Sequence, residues 1–325
     1  MQSTDLALSM EAAGDGARYD SASKKLMSYK SVMAWMLKLL TREFRGYDVD
    51  FIASNCLGEV SVSEKAVHQD QRDRTLDGNE RVTMINSESS SMNEGRIYYD
   101  LRLRARVPGS DGDVCLFVNI EIQNDDRQKY ALVTRGIYYC ARMISEQYGT
   151  VFTSMDYQKI EKAYSIWISP DPYGKRRMSS ITRYSVRKDD VLGKSFINRK
   201  DYDKIEVVVI KLGSDYECSR DSITGLLTAL LSTSIPLERR EEILSNVYGI
   251  AMTKEFEREV TEMCNLSSAV MEAGREKGLK EGRKEGSLII LFQLVDDGDL
   301  PIEKAASKAN MTVEEFLETK KEFDK

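Results

Sequence analysis

From Lys24 to Phe44 the apolar residues Leu26, Val32, Met33, Trp35, Met36, Leu39 and Leu40 recur at helical spacing, which predicts an amphipathic helix. Residues 62–95 hold few apolar positions and are expected to be mostly loop with short strand fragments. The pattern then changes to strict alternation. In Arg96–Val107, Ile97, Tyr99, Leu101, Leu103 and Ala105 share one face, and Tyr98, Asp100, Arg102, Arg104 and Arg106 share the other. The turn-forming segment PGSDGD follows at 108–113, and Val114–Gln123 (VCLFVNIEIQ) reads as a second strand. The two strands make a β-hairpin. Lys129–Gln147 is again helical, with an expected apolar stripe of Tyr130, Val133, Ile137, Cys140, Ala141, Ile144 and Tyr148. Tyr164–Ser169, Ile181–Arg187 and Ile205–Leu212 read as strands, so the fold class is α/β.

Beyond residue 220 the strand signals stop. Thr224–Ser232, Glu238–Tyr248 and Lys254 to about Ser287 read as helices, and a last helical unit runs from about Leu288 to Asp324. Gly274, Gly278, Gly282 and Gly286 stand four apart with charged spacers, which suits a solvent-facing connector or a homo-oligomer contact between C-terminal helices. The expected organisation is a flexible tail over 1–22, an α/β domain over 23–220 and a helical C-terminal region over 221–325.

The 325 residues suffice for a substantial core, with 41% hydrophobic and 31% charged residues. The longest apolar run, from Leu288 towards Val295, is interrupted by Gln293 and is too short for a membrane span. The N-terminus has no basic start followed by an apolar stretch, so no export signal is expected. Five scattered cysteines without a CxxC pair fit a reducing compartment, and a cytoplasmic location is expected. His68 is the only histidine, which excludes zinc sites needing two and leaves little for a Ser-His-Asp triad. Any metal would be held by carboxylates and carbonyls, as suits Mg²⁺ or Mn²⁺. A net charge of −6 counts mildly against a nucleic-acid partner.

The hairpin register concentrates the chemistry. With Val107 opposite Val114, Asp100 falls opposite Glu121, and directly paired residues have Cβ atoms about 4.5–5.5 Å apart. Two carboxylates so placed repel unless a cation joins them. Glu121 and Gln123 share a face. A solvated face with Arg102 and Arg104 as counter-charges accounts for the same residues, although Glu121 follows the largely apolar run LFVNI.

The segments NEGRIYYDLRLRA, VNIEIQ, RGIYYCARMISEQYG and YSIWISPDP resemble the PD-(D/E)XK nuclease family transposases, relatives of the Rpn recombination-promoting nucleases. The resemblance runs from about Tyr29 to Leu212. It implies a restriction-endonuclease-like αβββαβ core and Mg²⁺- or Mn²⁺-dependent cleavage of DNA in recombination or transposition. Asp100, Glu121 and Gln123 would be the catalytic residues, with Asp100, Glu121 and the Ile122 backbone carbonyl on the metal. Arg135 would contact DNA phosphate, and Glu43 would be an acid of the first helix. Tyr138 and Tyr139 correspond to family tyrosines and are expected to pack.

Gln123 stands where the wider superfamily has lysine, although E-x-Q is usual in the family that this chain resembles. It can orient water by hydrogen bonds, but it supplies no charge. A catalytically weak or inactive DNA-binding or oligomerising protein of the same fold is therefore the alternative. Lys175, Arg176, Arg177, Arg183, Arg187 and Lys188 form the most basic stretch, fit for a DNA backbone or a solvated loop. The terminal PIEKAASKANMTVEEFLE resembles the start of a helix-turn-helix, but no basic recognition helix follows.

Overall fold

The computed structural model describes residues 18–57, 88–91, 95–98, 100–108, 114–122, 130–170, 177–215, 219–232 and 235–323. Most of the expected tail, Gln123, Lys175 and Arg176 lie outside the described residues. The chain divides into two units, Met1–Val270 and Met271–Lys325.

In the first unit, helix α1 covers residues 18–27 and so begins inside the expected tail. Tyr19 is buried there and donates its hydroxyl to the Leu231 carbonyl at 2.7 Å. Ser28 bonds back to the Lys25 carbonyl and Tyr29 turns extended, so the single helix expected over 24–44 is two. Helix α2, Lys30–Leu40, buries Val32, Met33, Trp35, Met36 and Leu40. Among the described residues, strands β1 (Glu88–Ser91) and β2 (Gly95–Tyr98) pair only with each other. Strand β3, Leu101–Val107, and strand β4, Val114–Ile122, form the expected hairpin. The alternating run from Arg96 is therefore broken before Leu101. Val107 pairs with Val114 and Leu101 with Ile120, the register read from the sequence.

Helix α3 (Leu132–Ser145), strands β5 (Lys162–Ser169), β6 (Ser180–Ser185) and β7 (Ile205–Lys211) complete the α/β part. The sheet order is β3-β4-β5-β7-β6, with β4, β5 and β7 parallel and β3 and β6 antiparallel. β5 is buried along its whole length, as expected of a strand covered on both faces. One face (Leu103, Leu116, Val118, Tyr164, Ile166, Val208) shares a core with α1, α2 and later helices. The other (Phe117, Ala163, Trp167, Val207, Val209) packs against α3.

The contact face of α3 is rotated from the expected stripe. Leu132, Gly136, Tyr139, Cys140 and Met143 are buried, and Ile137, Tyr138 and Ala141 are exposed. Gly136 sets this rotation. A Cβ there would lie 2.5 Å from Val207 Cγ1 and 2.9 Å from Trp167 Nε1, so only glycine allows this approach of helix to sheet.

All described elements after β7 are helical: α4 (Ile223–Leu231), α5 (Leu237–Glu242), α6 (Lys254–Asp296), α7 (Ile302–Lys308) and α8 (Val313–Phe323). The fully buried Arg240 donates to the carbonyls of Ala229, Leu230 and Ile235, which satisfies the C-terminal end of α4. In the second unit, the end of α6, α7 and α8 close around Leu288, Phe292, Ala305, Ala306 and Phe316. The turn into α8 places Asn310 at φ 55°. Glu315 caps Thr312 reciprocally, and α8 opens on Glu314 and Glu315 and so is no basic recognition helix. No described helix is long and apolar enough to cross a membrane.

Candidate active site

The hairpin brings Asp100 and Glu121 together at the end of the β3–β4 ladder. The Asp100 N–H donates to Glu121 Oε1 at 3.1 Å, and the Ile122 N–H donates to Asp100 Oδ2 at 3.0 Å. In extended backbone the N–H and C=O of one residue point to the same edge, so the Ile122 carbonyl is directed to the Asp100 side. Glu121 follows Phe117 and Asn119 on the α3 face, where strand alternation puts it.

Glu121 is only 5% exposed. Asn119, fully buried, donates its amide to Glu121 Oε1 at 3.2 Å, and its own Oδ1 has no hydrogen-bond partner among the described residues. Burial, and then the negative charge of Asp100, push the Glu121 carboxyl up to about 8; the Asp100 N–H, Arg135 and Asn119 oppose the shift.

Two cations bracket the pair. Arg135, from α3, donates Nε and Nη2 to the Tyr139 hydroxyl at 3.0 and 2.6 Å. Its guanidinium lies 5.1 Å from the ring centroids of both Tyr139 and Trp167. It is fixed over aromatic faces with further N–H donors to offer. Burial, with Glu121 next, raises the Tyr139 hydroxyl to about 12, so it stays protonated. Tyr139 packs, as expected, while Tyr138 is exposed.

The second cation is Lys24 of α1, with Nζ 2.8 Å from Asp100 Oδ1 and 2.6 Å from Asp20 Oδ2. Burial acts to lower its pKa, but Asp100 and Asp20 outweigh that and hold it above the usual lysine value. Sequence reasoning missed Lys24 and Asp20, because nothing local ties that helix to the hairpin. The expected counter-charges are engaged elsewhere. Arg102 pairs with Glu146 at 2.6 Å, and Arg104 pairs with Glu161.

Glu43 is not brought to this pair. Helix α2 has ended by Thr41, so Glu43 is not helical. Its carboxylate pairs with Lys162 at 3.1 Å and accepts from the Tyr164 hydroxyl at 2.5 Å. Glu206 and Asp203 complete that cluster, 2.9 and 3.2 Å from Lys162 Nζ. Tyr164 belongs to the opposite sheet face from Trp167, the strand partner of Glu121. The cluster holds Glu43 to β5 and β7, away from Asp100. The basic stretch is also partly committed, with Arg183 on Glu206 and Lys188 on Asp190.

A hard divalent ion fits the Asp100–Glu121 donors. They are oxygens, burial opposes an uncompensated charge on Glu121, and a backbone carbonyl is directed to the same side. No three His, Cys, Asp or Glu side chains converge on a metal among the described residues. Two carboxylates with water and phosphate oxygens completing the shell is a normal arrangement for Mg²⁺.

No match is found among curated proteins. A solved Mycobacterium tuberculosis protein of unknown function aligns at 7% identity over 61% of this chain and 68% of its own, with a TM-score of 0.16. The family model for PD-(D/E)XK nuclease family transposases matches residues 108–273, just over half of the chain. That span includes Glu121, Gln123 and Arg135 and begins after Asp100. The mixed five-stranded sheet flanked by helices is consistent with the fold of that family, and the chain belongs to the PD-(D/E)XK nuclease family transposases.

Proposed function

We propose that this chain is a Mg²⁺- or Mn²⁺-dependent DNA endonuclease acting in recombination or transposition. The observation that carries the reading is the pairing of Asp100 with a buried Glu121 whose ionisation burial and Asp100 oppose. Asp100, Glu121 and the Ile122 carbonyl would hold the ion. When bound, a divalent ion polarises a phosphate oxygen and makes water a better nucleophile. The chain's own residues supply the rest. Arg135, fixed by Tyr139, is disposed to donate to a phosphate oxygen. Gln123 orients water without contributing charge. In the hydrolysis, the water oxygen bonds to phosphorus, the P–O bond to the leaving oxygen breaks, water loses a proton to solvent, and the leaving oxygen gains one.

The αβββαβ order belongs to the same reading, with α2, β2, β3, β4, α3 and β5 as that core and the helices beyond residue 220 as its extension. So do a cytoplasmic location and self-association through the C-terminal helices. The rival, a weak or inactive DNA-binding or oligomerising protein of the same fold, is favoured by Gln123.

Nicking of supercoiled plasmid in Mg²⁺ decides between them. Asp100→Ala and Glu121→Ala should each reduce the rate by at least about 100-fold, the scale of removing one transition-state charge contact. Wild-type rates in both variants would sink the site, and a wild-type protein inert in Mg²⁺ and Mn²⁺ would favour the rival.

A further inference from the structure

Phosphodiester hydrolysis at this site has a charge deficit. Two carboxylates and a phosphodiester carry one more negative charge than a divalent ion cancels; Arg135 can offset that one, but further negative charge builds on the phosphate oxygens as water adds. Gln123 cannot offset it. The structure holds a fixed ammonium at the same carboxylate. Lys24 Nζ reaches Asp100 Oδ1 at 2.8 Å while Asp20, one turn earlier on α1, holds it at 2.6 Å. Asp100 is tied from its other oxygen to the Ile122 N–H at 3.0 Å, so the carboxylate that receives Lys24 is itself oriented by the strand bearing Glu121. An ammonium has three N–H donors; among the described residues Asp20 and Asp100 take two, which leaves the third for a phosphate. The Lys24 side chain is 31% exposed, so substrate has access to it.

We propose that Lys24 is a catalytic cation of this nuclease, delivering from helix α1 the positive charge that Gln123 lacks. The proposal rests on the nuclease reading above. Lys24 donates a hydrogen bond to a non-bridging oxygen of the scissile phosphate and forms no covalent bond. Asp20 is a positioning residue, holding the ammonium at the phosphate side of Asp100.

The test compares wild type, Lys24→Gln, Lys24→Arg and the double variant Lys24→Gln/Gln123→Lys. Single-turnover cleavage is measured at saturating Mg²⁺, Mn²⁺ binding is followed by calorimetry, and thermal melts confirm folding. Lys24→Gln should cut about 100- to 1000-fold more slowly. It should bind Mn²⁺ at least as tightly as wild type, because a competing cation has gone. Lys24→Arg should retain more activity. Adding Gln123→Lys to Lys24→Gln should restore at least about tenfold, a rescue that a structural lysine would not show.

Three results would overturn the proposal while leaving the nuclease reading intact. These are a Lys24→Gln rate within threefold of wild type, a loss that neither arginine nor Gln123→Lys moderates, and a loss of Mn²⁺ binding in parallel with cleavage. A wild-type protein that cuts no DNA in either ion removes both readings together.

Discussion

Neutralising Glu121 should stabilise the metal-free protein, and increasingly so as pH rises. The side chain is 5% exposed, and burial with Asp100 moves its pKa from an ordinary 4.5 to about 8. Between these values the folded protein keeps a proton that the unfolded chain has released. A group whose folded pKa is raised in this way costs stability as pH climbs through the interval. Each unit is worth about 1.4 kcal/mol, so the cost approaches about 5 kcal/mol above pH 8 and falls below about 1 kcal/mol at pH 5. Glu121→Gln removes the titration and keeps an oxygen to accept from the Asp100 N–H and the Asn119 amide. Its stability relative to wild type should therefore grow by about 4 kcal/mol between pH 5 and pH 9. In thermal melts with EDTA, a chain of this size should show a gain of about 10 °C at pH 9. Mg²⁺ should raise the melting temperature of wild type at pH 9 and leave the variant unmoved, since a ligand stabilises only the protein that binds it. A difference that is independent of pH, or a variant that melts below wild type at pH 9, would refute the electrostatic account of the pair.

Two further outcomes follow from the fold. Gly136→Ala should destabilise by about 1–3 kcal/mol in chemical denaturation, because its Cβ would overlap Val207 and Trp167; unchanged stability would mean that α3 can shift outward. Glu43→Gln should cost about 1–3 kcal/mol through its bonds to Lys162 and Tyr164, while cleavage stays within twofold of wild type; a large fall in rate with normal stability would return Glu43 to the active site.

The sheet was legible where pattern is local. Alternation on both sides of PGSDGD marked the hairpin, setting Val107 opposite Val114 placed Asp100 beside Glu121, and the apolar runs at 164–169 and 205–212 marked the two buried parallel strands. The break before Leu101 was not legible, because a strand that changes partner keeps the same alternation. The face of α3 was misjudged for a steric reason. Its apolar residues surround most of the helix, and the choice among faces is made by Gly136, whose only sequence signal is a helix-weakening residue in mid-helix. Lys24 could not be found by spacing, since its role depends on how α1 docks beside the hairpin. Glu43 was assigned to a helix that stops at Thr41, and a neighbouring buried lysine claims it.

The central claim is that Asp100 and Glu121 share one divalent ion. Crystals soaked in Mn²⁺ and measured at the manganese edge test it directly. The account predicts an anomalous peak about 2.0–2.3 Å from a carboxylate oxygen of each residue, absent in Glu121→Gln. A well-occupied peak elsewhere in the molecule, or none at saturating Mn²⁺, would contradict it.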